Sequence, residues 1–205
     1  MTKNERDPHG LAPDRSETVL AILDLISDFS FEGGREVARA ALPVARRIAR
    51  LKARARAARV PVVYINDAVG RWRSDFPGMV RHCRREQSRG REVVDAIAPE
   101  PDDYCILKPK HSAFFATPLD LILELIGARR LILTGVSSNQ CVLFTANDAY
   151  VRDLELLIPR DCISARKQAD TRLAIRYFGT VLGADLAPST RLRLRGKKLR
   201  SRAAR

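Results

Sequence analysis

Cys141, Asp24 and Lys108 are the side chains of this sequence whose types and placement suit bond-breaking chemistry. Cys141 follows an apolar run and a turn, Leu131-Ile132-Leu133-Thr134-Gly135-Val136-Ser137-Ser138-Asn139-Gln140. The stretch from Asn139 to Tyr150 reads as a helix. A thiol in the first turn of a helix faces the positive end of the helix dipole, which favours thiolate. The backbone N–H groups beside it have no intrahelical partner and can meet a developing oxyanion. A buried structural cysteine is the competing reading of Cys141 taken alone. Asp24 closes the apolar stretch Ala21-Ile22-Leu23, and Lys108 closes Cys105-Ile106-Leu107. Separately, each reads equally as half of a strand-end salt bridge. Together with Cys141 they compose a carboxylate–ammonium–thiol triad. In it, Asp24 takes the thiol proton and passes it to a leaving amine, while Lys108 keeps Asp24 ionised and supports the thiolate.

The elements that must position these groups alternate along the chain. Thr18 to Leu23, Pro61 to Ile65, Tyr104 to Leu107, Leu131 to Thr134 and Leu154 to Ile158 read as buried strands. Between them, Gly34 to Arg59 reads as a long helix that Pro43 kinks or truly begins. Pro77 to Arg89, Thr117 to Leu125 (opened by Thr117-Pro118) and Ala165 to Phe178 read as further helices. Near-continuous apolar strands alternating with helices predict an α/β fold: a three-layer, doubly wound, mostly parallel sheet with helices on both faces. Ligands in such sheets bind beyond the carboxyl ends of the strands, where Asp24, Asn66-Asp67, Lys108 and the Gly135–Cys141 loop all fall. Residues 1–17 read as a flexible leader, 18–188 as the domain, and 189–205 as a basic, disordered tail.

The chain has 205 residues, 45% of them hydrophobic and 30% charged, which suits one domain with a full core. No apolar run is long enough to span a bilayer, and no secretory h-region is visible. Cys83, Cys105, Cys141 and Cys162 lack a metal-ligand spacing, so reduced thiols in the cytoplasm are expected, with Cys83, Cys105 and Cys162 structural. Net charge is +13, and eight of the positive residues lie in Ser189–Arg205, which contains no acid. That concentration weakens a nucleic-acid reading and leaves the tail a weak, salt-sensitive contact with polyanions.

Three segments resemble the isochorismatase-like cysteine hydrolases, which include nicotinamidases, N-carbamoylsarcosine amidohydrolases and isochorismatases. They are Ile22-Leu23-Asp24-Leu25-Ile26-Ser27-Asp28-Phe29, Lys108-Pro109-Lys110-His111-Ser112-Ala113-Phe114, and Thr134-Gly135-Val136-Ser137-Ser138-Asn139-Gln140-Cys141-Val142. Thr145-Ala146-Asn147-Asp148-Ala149 and Pro159-Arg160-Asp161-Cys162 extend the third. The resemblance implies Cys141 as nucleophile, Asp24 as general base and Lys108, rather than Lys110, as the catalytic lysine. It also implies a cis peptide at Val136–Ser137 that turns the Ser137 N–H, with that of Cys141, towards the oxyanion, and it implies homo-oligomers.

Two departures stand out. Ile26 occupies a position where many members carry Gln. Nicotinamidase-type members bind a divalent metal through Asp-x-His after the second strand, whereas Asp67 here is followed by Val69. No metal or other cofactor is therefore expected. Phe29, Asn66, Trp72 (within Arg71-Trp72-Arg73) and Phe114 are candidate pocket residues, and His111 reads as a hydrogen-bonded structural histidine. The expected function is metal-independent hydrolysis of a small-molecule C–N bond through a thioester. A binding protein with a vestigial triad and a vinyl ether hydrolase are the alternatives.

Overall fold

The computed structural model describes residues 12–68 and 75–194. Six strands form one sheet in which every pairing is parallel: β1 (Thr18–Leu23), β2 (Val62–Asp67), β3 (Tyr104–Lys108), β4 (Arg130–Val136), β5 (Glu155–Leu157) and β6 (Ile163–Ser164). The order is β3-β2-β1-β4-β5, with β6 also on β4. The chain thus winds outward from β1 in one direction and from β4 in the other. The switch falls between β1 and β4, at whose carboxyl ends Asp24 and the Cys141 turn lie.

Alternating residues of β1 divide the core. Leu20 and Ile22 join α1 (Gly34–Ala57), α2 (Phe76–Cys83) and α3 (Arg91–Ile97) on one face. Val19, Ala21 and Leu23 join α4 (Leu119–Ile126), α5 (Cys141–Tyr150) and α6 (Gln168–Thr180) on the other. This is the expected three-layer arrangement. The helix α1 buries Val37, Ala41, Val44, Ile48 and Leu51, a 3–4-residue spacing that lays one face on the sheet. Truncating Ile48, which is fully buried, would cost about 2–5 kcal/mol. Pro43 neither starts nor ends α1; it sits on the exposed face, where the carbonyl freed by its missing N–H can meet water.

Several expected boundaries move. The Pro77–Arg89 stretch is not one helix. It stops at Cys83 and restarts as α3 after Gly90, where a Cβ would lie 1.7 Å from the Ser27 carbonyl oxygen. That close approach, not visible in a hydrophobic pattern, fixes where α3 begins. Pro118 rather than Thr117 takes the N-cap position of α4, and the Thr117 hydroxyl accepts from Leu119 N–H at 3.2 Å in the turn that leads into the helix. Both ends of the domain also pack further than expected. Ala12 and Ser16 are buried, and Tyr104 donates to Asp14 at 2.8 Å, so residues 12–17 are not a free leader. Ser189–Arg191 forms a 3-10 turn, and Leu192 is buried against α1. Arg54 donates to the carbonyls of Ser189 and Leu192, and Asp161 accepts from the Ser189 backbone and hydroxyl. The packed domain therefore runs to at least residue 194, because Leu192 supplies apolar surface that a count of charges hides. The remainder of the basic tail, 195–205, lies outside the described residues. No described helix is long and apolar enough to cross a membrane.

Candidate active site

Asp24 leaves β1 in a left-handed backbone conformation, φ 52°, which Asp tolerates better than most residues. The turn brings its carboxylate over the strand ends, where Oδ1 accepts the Asp67 N–H at 2.9 Å. Lys108 ends β3, two strands from β1, and its side chain is fully buried. It reaches across β2, so that Nζ lies 3.0 Å from Asp24 Oδ2 and 3.5 Å from Cys141 Sγ, and also bonds the Asp67 carboxylate. Cys141 opens α5 and is buried. Gly135, at φ 114°, lets β4 pass β1 closely enough for this meeting: a Cβ there would stand 2.1 Å from the Leu23 carbonyl oxygen.

The turn before Cys141 is fixed by its backbone. The Val136–Ser137 peptide is cis. Ser138 N–H donates to Ser164 O, and Gln140 and Val142 N–H both donate to Ser137 O. Among the described residues, the N–H groups of Ser137 and Cys141 make no hydrogen bond. The lysine segment is pinned to α5: Ser112 bonds Asp148, and Ala113 N–H donates to Thr145 at 3.0 Å. These motif residues hold Lys108 against the helix that carries the cysteine.

Burial pushes the Asp24 carboxyl up to about 6; the Lys108 ammonium pulls against this and the Asp67 carboxylate adds to it. Burial and the Asp24 charge push the Cys141 thiol well above its usual value, with Lys108 pulling back only in part. Burial alone would lower Lys108, but Asp24, the Cys141 sulfur and Asp67 outweigh it and hold the ammonium protonated. The expected thiolate is thus not the resting form. Desolvation and two carboxylates outweigh the helix end, and the thiol keeps its proton beside an ionised Asp24.

Oxygens of Asp24 and Asp67 and the Cys141 sulfur lie within 4.8 Å of one another, a set that also suits a cation. Lys108 Nζ contacts all three, so an ammonium already sits in their midst, and a divalent metal does not fit there with Lys108 in place. Val69, the position of interest for a metal ligand, lies outside the described residues.

A cleft of about 1010 Å³ opens beside the triad, lined on one side by Asp24, Ser137, Asn139, Gln140 and Cys141. Ile26, Phe29, Val37 and Met79 give it an apolar wall; Asp28, His82 and Arg166 give it a polar end. Two of the expected pocket residues take part. Phe29 lines it at φ 51°, and Asn66 lines it with Nδ2 donating to Ile26 O at 2.9 Å and a buried Oδ1 without a partner among the described residues. Phe114 does not. It is buried on the α4–α5–α6 side, with the Arg152 guanidinium 4.5 Å over its ring, because Ala113 and Ser112 turn it towards α5. Trp72 lies outside the described residues. Cys83 and Cys162 are buried and Cys105 is exposed, so only the first two act as core residues. His111, expected to be structural, lies with Nδ1 3.7 Å from the Cys141 sulfur.

The isochorismatase domain family matches residues 18–185, a span that holds all three triad residues. The chain belongs to the isochorismatase family. It is 38% identical over 172 residues to the isochorismatase family protein YaaI of Bacillus subtilis, covering 84% of this chain and 94% of that one. It is 33% identical over 175 residues to the ureidoacrylate amidohydrolase RutB of Methylorubrum extorquens, covering 71% and 69%. Among solved structures, the N-carbamoylsarcosine amidase of Thermoplasma acidophilum superposes with a TM-score of 0.66 at 26% identity, covering 86% of this chain and 98% of that one. This isochorismatase-family hydrolase thus shares its fold with a protein named as an amidase.

Proposed function

We propose that this chain is a cysteine hydrolase that cleaves a C–N, amide-type bond of a small molecule through a thioester, without a metal or other cofactor. One observation carries the reading: a buried lysine contacts Asp24, Asp67 and Cys141 at once, beside a cleft large enough for a small ligand. Cys141 Sγ attacks the carbonyl carbon while its proton passes to Asp24. A carboxylate that titrates near 6 is ionised at neutral pH yet basic enough to share that proton. The carbonyl oxygen, now negative, accepts from the N–H groups of Ser137 and Cys141. The C–N bond then breaks, and the proton on Asp24 goes to the leaving nitrogen. Water attacks the thioester, Asp24 takes a proton from it, the C–S bond breaks, and that proton returns to the sulfur.

Asn66 Oδ1 accepts an N–H of the substrate amide, and Phe29 with Ile26 covers its apolar part. The names of RutB (an amidohydrolase) and of the Thermoplasma amidase support C–N rather than vinyl ether chemistry. Four free cysteines support a cytoplasmic setting. The test is ammonia release from a panel of small carboxamides, ureido acids and carbamoyl compounds. Wild-type protein should turn over at least one of them, and Cys141→Ala should be folded and inactive. Turnover that survives in Cys141→Ala removes the cysteine mechanism.

A further inference from the structure

Position 111 is one of the three intervening positions of the lysine segment, and no pattern in the sequence asks for a histidine there. In the fold, its Nδ1 stands 3.7 Å from Cys141 Sγ. The ring is exposed and rests on Phe144, three residues along α5, with centroids 5.3 Å apart. The residues after it are tied to the same helix by Ser112–Asp148 and Ala113–Thr145. The imidazole is therefore steered onto the sulfur by several contacts with the helix that carries the nucleophile. His111 is not among the residues lining the cleft, so it meets the sulfur without taking up substrate space.

The sulfur has a need that Lys108 meets only in part. In the attack step, negative charge develops on Sγ as its proton leaves. In thioester hydrolysis, the C–S bond breaks and its electron pair returns to Sγ. Lys108 contacts the sulfur but also contacts Asp24 and Asp67, so two carboxylates share the one ammonium. A donor with no carboxylate of its own can respond more fully to charge on sulfur. Given Cys141 as the nucleophile, we propose that His111 is a further catalytic residue, donating its Nδ1–H to the Cys141 sulfur in both half-reactions. This fixes the tautomer with the proton on Nδ1 whenever the imidazole is neutral.

The test uses iodoacetamide, which reads thiolate reactivity without needing the substrate. Carbamidomethylation of Cys141 is followed at the peptide level, since Cys105 is also exposed. His111→Phe keeps a ring on Phe144 but has no donor, and should alkylate about fivefold more slowly, the equivalent of one hydrogen bond near 1 kcal/mol. His111→Asn places an N–H near the Nδ1 position and should stay within about twofold of wild type. His111→Ala replaces the Phe variant if that chain fails to fold. A donor-less variant as fast as wild type, or an Asn variant as slow as the donor-less one, overturns the proposal. A His111 effect on alkylation without any amide turnover upholds the donation to sulfur and removes the hydrolase reading, and with it the catalytic role. Amide turnover with no His111 effect does the reverse.

Discussion

On the cysteine side of the cleft, polar side chains are tied across elements, whereas the opposite wall is held by packed apolar side chains and most of its polar side-chain bonds are local. Lys108 of β3 bonds residues that follow β1 and end β2, and contacts α5 as well; Ser112 and Ala113 bond α5. Across the cleft, Ser30 N–H and Oγ both bond Asp28, and Phe29 N–H bonds Ser27 Oγ, each two residues away. The link from that wall to α2 is Asp28–His82, 3.0 Å long and partly exposed. The lesson is a division of labour. The groups proposed to move protons are held by buried, long-range polar contacts, while the wall proposed to meet the rest of the substrate rests on apolar packing and a few short-range polar bonds.

Breaking the tied side should have the largest effect. Lys108→Met leaves Asp24 and Asp67 facing each other without a cation. It should lower kcat/KM by about a thousandfold, a loss of the size expected when a positioned charge is removed from an acid–base site. Steady-state kinetics on the substrate found in the amide screen measures this; a loss under tenfold would detach Lys108 from the chemistry. Acid should act on the same side. In the proposed mechanism Asp24 acts as a carboxylate, and burial pushes it up to about 6, so kcat/KM should fall about tenfold for each pH unit below about 6 and level off above it. A limb nearer 4 in the pH–rate profile would show a base other than Asp24.

A milder break is Asp148→Ala, which frees Ser112 and loosens the lysine segment on α5. It should cost about 1 kcal/mol of stability and roughly tenfold in kcat, read by thermal melting and by kinetics. Ser112→Ala should add less to it than it costs alone, because the two groups share one bond while Ser112 Oγ also accepts the Phe114 N–H. The smallest effect belongs to the opposite wall. His82→Ala removes a half-exposed pair worth at most about 1 kcal/mol, and should move KM by a few-fold while kcat holds. A kcat loss there matching that of Asp148→Ala would erase the contrast between the walls.

Apolar runs revealed the five main strands because burial on both faces leaves few polar positions in β1, β2 and β4, and the edge strands β3 and β5 still carry short apolar stretches. The two-residue β6 is too short to leave such a mark. Breaks in packing were less legible. Gly90 marks the start of α3 where it touches the Ser27 carbonyl, and Leu192 anchors the end of the domain inside a segment that reads as basic tail. Asp24, Lys108 and Cys141 were legible as residues, since each ends an apolar strand or follows one through a turn. Their protonation was not. Dipole reasoning gave Cys141 a favoured thiolate, and burial beside two carboxylates reverses it. Phe114, a candidate pocket residue, packs in the core, because a loop residue carries no periodicity to say which way it turns.

The order of strands and helices, and the polar residues at their ends, belong to the sequence itself. They follow from which residues water rejects, in continuous apolar runs for the buried strands and at 3–4-residue spacing for the helices. Only the tertiary structure decided that Lys108 spans two strands to reach Asp24, that Asp67 joins them, and that His111 leans on the sulfur. Those meetings depend on strand order and side-chain reach, which bring together atoms from distant parts of the chain and leave no local trace in it.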